Sequence, residues 1–66
     1  MYYMSQDGTR LVESSHLYIA DNAIFAVIPG GEDIQLAQYE VYGEAQEALR
    51  KVCAAIEDSE EVFSFE

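Results

Sequence analysis

The pattern of apolar and polar positions divides the chain into short β-type runs followed by one helical stretch. Asp7-Gly8 is the first break, a dipeptide suited to the positive φ values of tight turns. A two-residue loop there sets Gln6 opposite Thr9, Ser5 opposite Arg10, Met4 opposite Leu11 and Tyr3 opposite Val12, predicting a hairpin of roughly 2–6 and 9–13. After Ser14-Ser15, residues 16–28 are almost wholly apolar apart from Asp21-Asn22, where a second hairpin turns. Its register pairs Leu17 with Ala26, Tyr18 with Phe25, Ile19 with Ile24 and His16 with Val27. Leu17, Ile19, Ile24 and Ala26 then share one face, and His16, Tyr18, Phe25 and Val27 share the other. Both faces are apolar.

Pro29-Gly30-Gly31 reads as a loop, and the alternation from Asp33 to Tyr39 predicts a further strand. From Glu44 the period changes: Ala45, Ala48, Leu49, Val52, Cys53 and Ile56 lie on one stripe of an α-helix, with Gly43 as N-cap and Glu44 and Glu47 in the first turn. Glu57, Asp58, Glu60 and Glu61 end it, and Val62–Phe65 follows as a short final strand or a tail that orders on another surface. These elements predict one α+β domain over residues 1–66: a small antiparallel sheet of about 4–5 short strands, made of two hairpins plus further strands, with one amphipathic helix packed on one face. A helix of about fourteen residues is about 20 Å long and covers only one side of such a sheet. The face around Tyr18, Phe25 and Val27 is left for a partner, most simply a second copy of the chain.

Charge sharpens this picture. Thirteen Asp and Glu stand against three basic residues, a formal net charge of −10 in 66 residues. Such a field repels nucleic acid and anionic membranes and attracts a basic protein surface. The N-terminus has no signal-peptide pattern and no apolar run is long enough for a membrane span, so a cytoplasmic location is expected, in keeping with a single thiol.

The chemistry-bearing residues are few. His16, Cys53 and Lys51 are each the only one of their kind. Cys53 on the apolar stripe reads as a buried small hydrophobe, and the hairpin register places His16 on the opposite face of the sheet. Two N or S ligands are too few for a structural zinc site, no calcium loop exists, and Gly30-Gly31 is followed by Glu32 and Asp33, which repel phosphate. No catalytic, metal or cofactor site is expected. What remains is binding: an acidic interaction module that self-associates, using Tyr18, Phe25, Val27, Phe63, Phe65, Glu57, Asp58, Glu60 and Glu61. A second reading is an oligomeric sponge that holds an anionic, nucleotide-type ligand between subunits with Arg10, Arg50 and Tyr3. A third is a particle component whose strand Val62–Phe65 augments a neighbouring sheet.

The opening Met1-Tyr2-Tyr3-Met4-Ser5-Gln6-Asp7, the pair Leu36 and Tyr39, and Ala45 with Leu49 together resemble small uncharacterised proteins of phages, prophages and mobile elements of Gram-positive bacteria such as Clostridia. In similar sequences a Ser often precedes the acidic first turn of the helix, where this chain has Gly43. The resemblance carries no catalytic residue. It implies a small accessory protein of a mobile element that acts by binding a host protein, including the inhibition of a defence enzyme.

Overall fold

The computed structural model describes all 66 residues. Six strands and one helix follow in the order β1 (Tyr2–Met4), β2 (Leu11–Glu13), β3 (Leu17–Ala20), β4 (Ala23–Ala26), β5 (Ile34–Gln38), α1 (Tyr42–Glu57) and β6 (Val62–Ser64). The α+β class with one helix holds, but the strands form two three-stranded sheets, β2-β1-β6 and β3-β4-β5, in place of one antiparallel sheet.

Both hairpins keep the expected register where they pair, but the first is shorter than 2–6 and 9–13. β1 ends at Met4 and β2 begins at Leu11, Gln6 gives its N–H to Leu36 instead of pairing with Thr9, and the loop is longer than Asp7-Gly8. Tyr3 pairs with Val12 and Met4 with Leu11, while Leu17, Tyr18 and Ile19 pair with Ala26, Phe25 and Ile24. In the first turn the Gly8 N–H donates to the Ser5 carbonyl at 2.9 Å, with Gly8 at φ 74°. The Asp7 carboxylate accepts hydrogen bonds from Ser5 Oγ (2.7 Å), Thr9 N–H (3.0 Å) and Thr9 Oγ1 (2.7 Å). Those bonds, led by the Ser5 hydroxyl, lower the Asp7 pKa to about 2. A depressed carboxylate contributes stability that is present above its unfolded value and lost as pH falls through the folded one. Acid unfolding of the wild type between pH 4 and pH 2 is therefore expected to flatten in Asp7→Asn, measured by circular dichroism against pH.

At the second turn Asp21 takes φ 57°, the left-handed conformation that a two-residue loop requires. Leu17, Ile19, Ile24 and Ala26 face the core and Tyr18 and Phe25 face away from it, as the pairing dictates.

β5 departs from simple alternation. Phe25 pairs with Gln35 and Ile24 with Ala37, so Leu36 is the extra residue of a β-bulge. The bulge turns two consecutive side chains, Leu36 and Ala37, into the core. It also leaves the Leu36 carbonyl free to accept the Gln6 N–H at 2.7 Å, while Gln38 N–H donates to Gln6 Oε1 at 3.0 Å. One residue of the first hairpin thus holds the outer edge of the second sheet.

Ser14 makes the other join between the sheets. Its hydroxyl lies 2.9 Å from the Val27 carbonyl and 3.0 Å from that of His16, and accepts the His16 N–H at 3.2 Å. Because Ser14 is buried, Ser14→Ala leaves these groups short of a partner and is expected to cost about 1–3 kcal/mol, read as a lower urea midpoint.

β6 joins β1 in parallel, Tyr2 opposite Val62 and Met4 opposite Ser64. The Tyr2 N–H donates to the Glu61 carbonyl (2.9 Å) and the Phe65 N–H to the Met4 carbonyl (3.0 Å). Residues 62–65 therefore pair within the chain. A parallel neighbour needs a crossover, and α1 with the turn after it supplies the return.

α1 starts at Tyr42, earlier than the expected Gly43 cap allows. Val41 is the N-cap and has no side-chain cap bond, and the Glu44 carboxylate accepts the Glu40 N–H at 3.2 Å. At the other end Ser59 is left-handed (φ 59°) and donates to the Ile56 carbonyl, while Glu60 donates to that of Ala55: a Schellman ending built on Ser where Gly is usual.

The helix is also turned from the expected stripe. Ala45, Ala48, Val52 and Ala55 are buried, whereas Leu49 is half-buried, Cys53 is exposed and Ile56 is 55 % exposed. Small alanine side chains let the backbone come close to β4, against which α1 packs, so the alanine face is the inner one. The expectation of a buried Cys53 thiol is overturned by that rotation.

Candidate functional site

The core binds both sheets and the helix to one side of β3 and β4, which leaves the groups that can meet a partner on three surfaces.

On the outward face of the second sheet, Tyr18 and Phe25 stack with ring centroids 5.5 Å apart and planes 16° from parallel, and His16 stands edge-on to Tyr18 at 6.4 Å. The Tyr18 hydroxyl donates to Asp33 at 2.5 Å, a bond that holds its pKa above the usual phenol value. Stacking leaves Tyr18, Phe25 and Val27 half-buried with no other element over them. The outward face of the first sheet is more open: Tyr2, Leu11 and Val62 are exposed, and Met4 lies among them by register. The residue-by-residue pairing of Met4 with Leu11 carried that signal in the sequence. The parallel placement of Val62 beside Tyr2 did not, because nothing local specifies it.

The third surface is a groove of about 340 Å³ between α1 and β6. Glu44, Glu47, Ala48 and Lys51 form one wall, spaced so that they share a helix face. Phe63, Ser64, Phe65 and Glu66 form the other, with Tyr39 at one end. The Phe63 and Phe65 rings meet edge to face at 4.9 Å. Glu44, Glu47 and Glu66 thus stand with Lys51 around an aromatic floor, with Glu47 bridged to Arg50 and the Glu66 carboxylate beside Gly8 of the first turn. Burial, and then the charge of Glu44, push the Tyr39 phenol above its ordinary value, as burial does for Tyr3. Stability is accordingly lost as pH rises past 10, where the unfolded chain releases protons that the folded phenols keep.

The structure gathers some of the expected site residues and separates others. Phe63 lines the groove half-buried, but Phe65 is 6 % exposed and belongs to the core, so only its edge is open. Glu57, Asp58, Glu60 and Glu61 are exposed around the Schellman turn, with no basic residue in the last turn of α1 to offset them. Tyr3 is 3 % exposed, which removes it from any surface site. Arg10 lines a depression with Gln6 and Gln38 at the join between the sheets, and Arg50 lines another on α1 while bridging to Glu47 at 3.1 Å. Within one chain these cations do not converge. Cys53 is on the same side of the helix as Arg50, and no three of the His, Cys, Asp and Glu side chains gather as metal ligands. No helix is long and apolar enough to cross a membrane.

The chain matches no protein-family model, and no curated protein or solved structure is significantly similar to it.

Proposed function

We propose that this chain is a non-enzymatic binding protein that engages a basic protein partner through its acidic surface, self-associates through its outward apolar faces, and acts in the cytoplasm as an accessory protein of a phage or mobile element. The observation that carries this reading is the imbalance of thirteen acidic against three basic residues on so small a body. One of the three, Arg50, is already paired with Glu47, and Lys51 stands with Glu44 and Glu66 along the groove between α1 and β6. A field of this sign raises the rate at which a cationic surface is met and falls off with salt. Proteins that hold DNA or RNA present such surfaces, and an acidic body competes with phosphate for them.

Self-association rests on Tyr2, Leu11 and Val62, exposed together on the first sheet, and on the half-buried Tyr18–Phe25 stack. Immobilised chain is expected to retain a nucleic-acid-binding protein from a Gram-positive bacterial lysate at low ionic strength, in stoichiometric amount, and to release it to added duplex DNA. Recovery of no stoichiometric partner at low salt, where a charge-driven contact is strongest, overturns the reading.

A further inference from the structure

β6 has one partner, β1, on one side only. Hydrogen bonds to β1 run through the Glu61 carbonyl and the Phe65 N–H. Backbone groups of successive residues point to opposite sides of a strand, so Val62 and Ser64 turn their N–H and C=O groups away from β1, toward an unoccupied strand position. Other free edges in the molecule are not all equivalent. That of β5 is taken by Gln6, which bonds Leu36 and Gln38. The outer edges of β2 and β3 are unpaired as well, but neither borders the groove.

The edge of β6 differs in lying beside a groove: Ser64 lines the space between β6 and α1, with Glu44 and Glu47 across it and Glu66 on the near side. Phe63 supplies an aromatic surface within the same space. An added strand is recognised by main-chain bonds to a free edge and by side chains that fit the flanking surface. The main chain here offers the donors and acceptors of Val62 and Ser64, and the flanking surface offers carboxylates and an aromatic ring, which suit ammonium and guanidinium groups. Lys51 lies in the same wall and Arg50 is paired with Glu47, so the three carboxylates exceed the two cations by one charge.

We infer that the groove between α1 and β6 is the docking site for an extended, lysine- or arginine-bearing segment of a protein partner, which adds as a fourth strand beside β6. This rests on the reading of the chain as a binder of basic proteins and names where and how that binding occurs. The occupant is an extended strand because the free groups are those of a strand edge, and basic because Glu44 and Glu47 line the facing wall on a chain of net charge −10.

The probe is a capped peptide of alternating lysine and valine, titrated into isotopically labelled chain at about 0.05 M ionic strength, where screening is weak. Amide shifts are expected at Glu47, Lys51 and Ser64, and the Val62 and Ser64 N–H groups gain protection from hydrogen exchange. Glu44→Gln with Glu47→Gln is expected to weaken binding about tenfold, the effect of two exposed ion pairs. Ser64→Pro removes a donor that points away from β1 and leaves the bonds to β1 intact, so the fold is kept and binding falls. If Ser64→Pro fails to fold, exchange protection in the wild type decides.

Peptide binding with shifts confined to other surfaces, or with no protection at Val62 and Ser64, overturns the groove and leaves the acidic-surface reading standing. A folded Ser64→Pro that binds as well as wild type overturns the strand addition. No binding of the peptide at all overturns the strand addition, while the acidic-surface reading stands or falls on the capture of a partner at low salt.

Discussion

Ile24→Ala is expected to leave most of the chain unfolded at 37 °C. Ile24 is 0 % exposed, at the centre of β4, between β3 and β5 and beneath α1. Its register partners are Ile19 on one side and Ala37 on the other, and the bulge beside Ala37 brings Leu36 inward next to it. Truncating a buried Ile to Ala costs about 2–5 kcal/mol, toward the upper end where neighbours cannot collapse into the space. The core around it is rich in alanine, with Ala26, Ala37, Ala45 and Ala48 among its members, side chains too short to move into a void. A domain of 66 residues has a total stability of roughly 3–10 kcal/mol at the usual value per residue. Loss of the Ile24 methyl groups thus removes a large part of the whole. Urea unfolding followed by circular dichroism reads the change; a midpoint within error of wild type would show that β4 is not the centre of the core.

The position of Ile24 was legible in the sequence, and the reason is local. Asp21-Asn22 fixes the turn, a two-residue loop fixes the register, and register fixes which side chains share a face. The same chain of steps gave Tyr3 opposite Val12 and Met4 opposite Leu11. Where the determinants are distant in sequence the pattern fails. The bulge at Leu36 answers to Gln6, thirty residues earlier, whose N–H takes the carbonyl that the bulge frees. Nothing in the alternation from Asp33 to Tyr39 announces it. The parallel pairing of β6 with β1 depends on where α1 and the Ser59 turn deliver the chain, so whether Val62–Phe65 paired inside the molecule could not be read from those residues.

The candidate groove shows the same division. Phe63 and Phe65 stood out as apolar residues in a terminal strand, but the wall opposite them, Glu44, Glu47 and Lys51, is one face of α1. It becomes a wall only because α1 is turned to set its alanines against β4. The expected stripe of Ala45, Ala48, Leu49, Val52, Cys53 and Ile56 shares Ala45, Ala48 and Val52 with the buried face, but its Leu49, Cys53 and Ile56 side gives the helix a different rotation, and the acidic face then points elsewhere. The rotation of α1 is therefore what connects core packing to the proposed binding surface, and it can be tested at two adjacent residues.

Ala55→Gln and Ile56→Gln are expected to have opposite outcomes, in the reverse order of their hydrophobicity. Ala55 is 3 % exposed and its neighbour Ile56 is 55 % exposed. Glutamine has good intrinsic helix propensity, so neither substitution disturbs α1 through the backbone. At residue 55 the longer side chain has no room in a face of alanines, and its amide loses water without a partner. Overpacking costs about 1–3 kcal/mol and an unsatisfied buried amide about 1–3 kcal/mol more, enough together to unfold a domain of this size. At residue 56 the same side chain replaces an exposed isoleucine and stability should stay within about 0.5 kcal/mol of wild type. Had the larger apolar residues formed the inner stripe, Ile56→Gln would be the damaging change and Ala55→Gln the harmless one. Urea midpoints of the two variants distinguish these orientations of α1, and equal losses at both residues would contradict the rotation that sets Glu44, Glu47 and Lys51 facing β6.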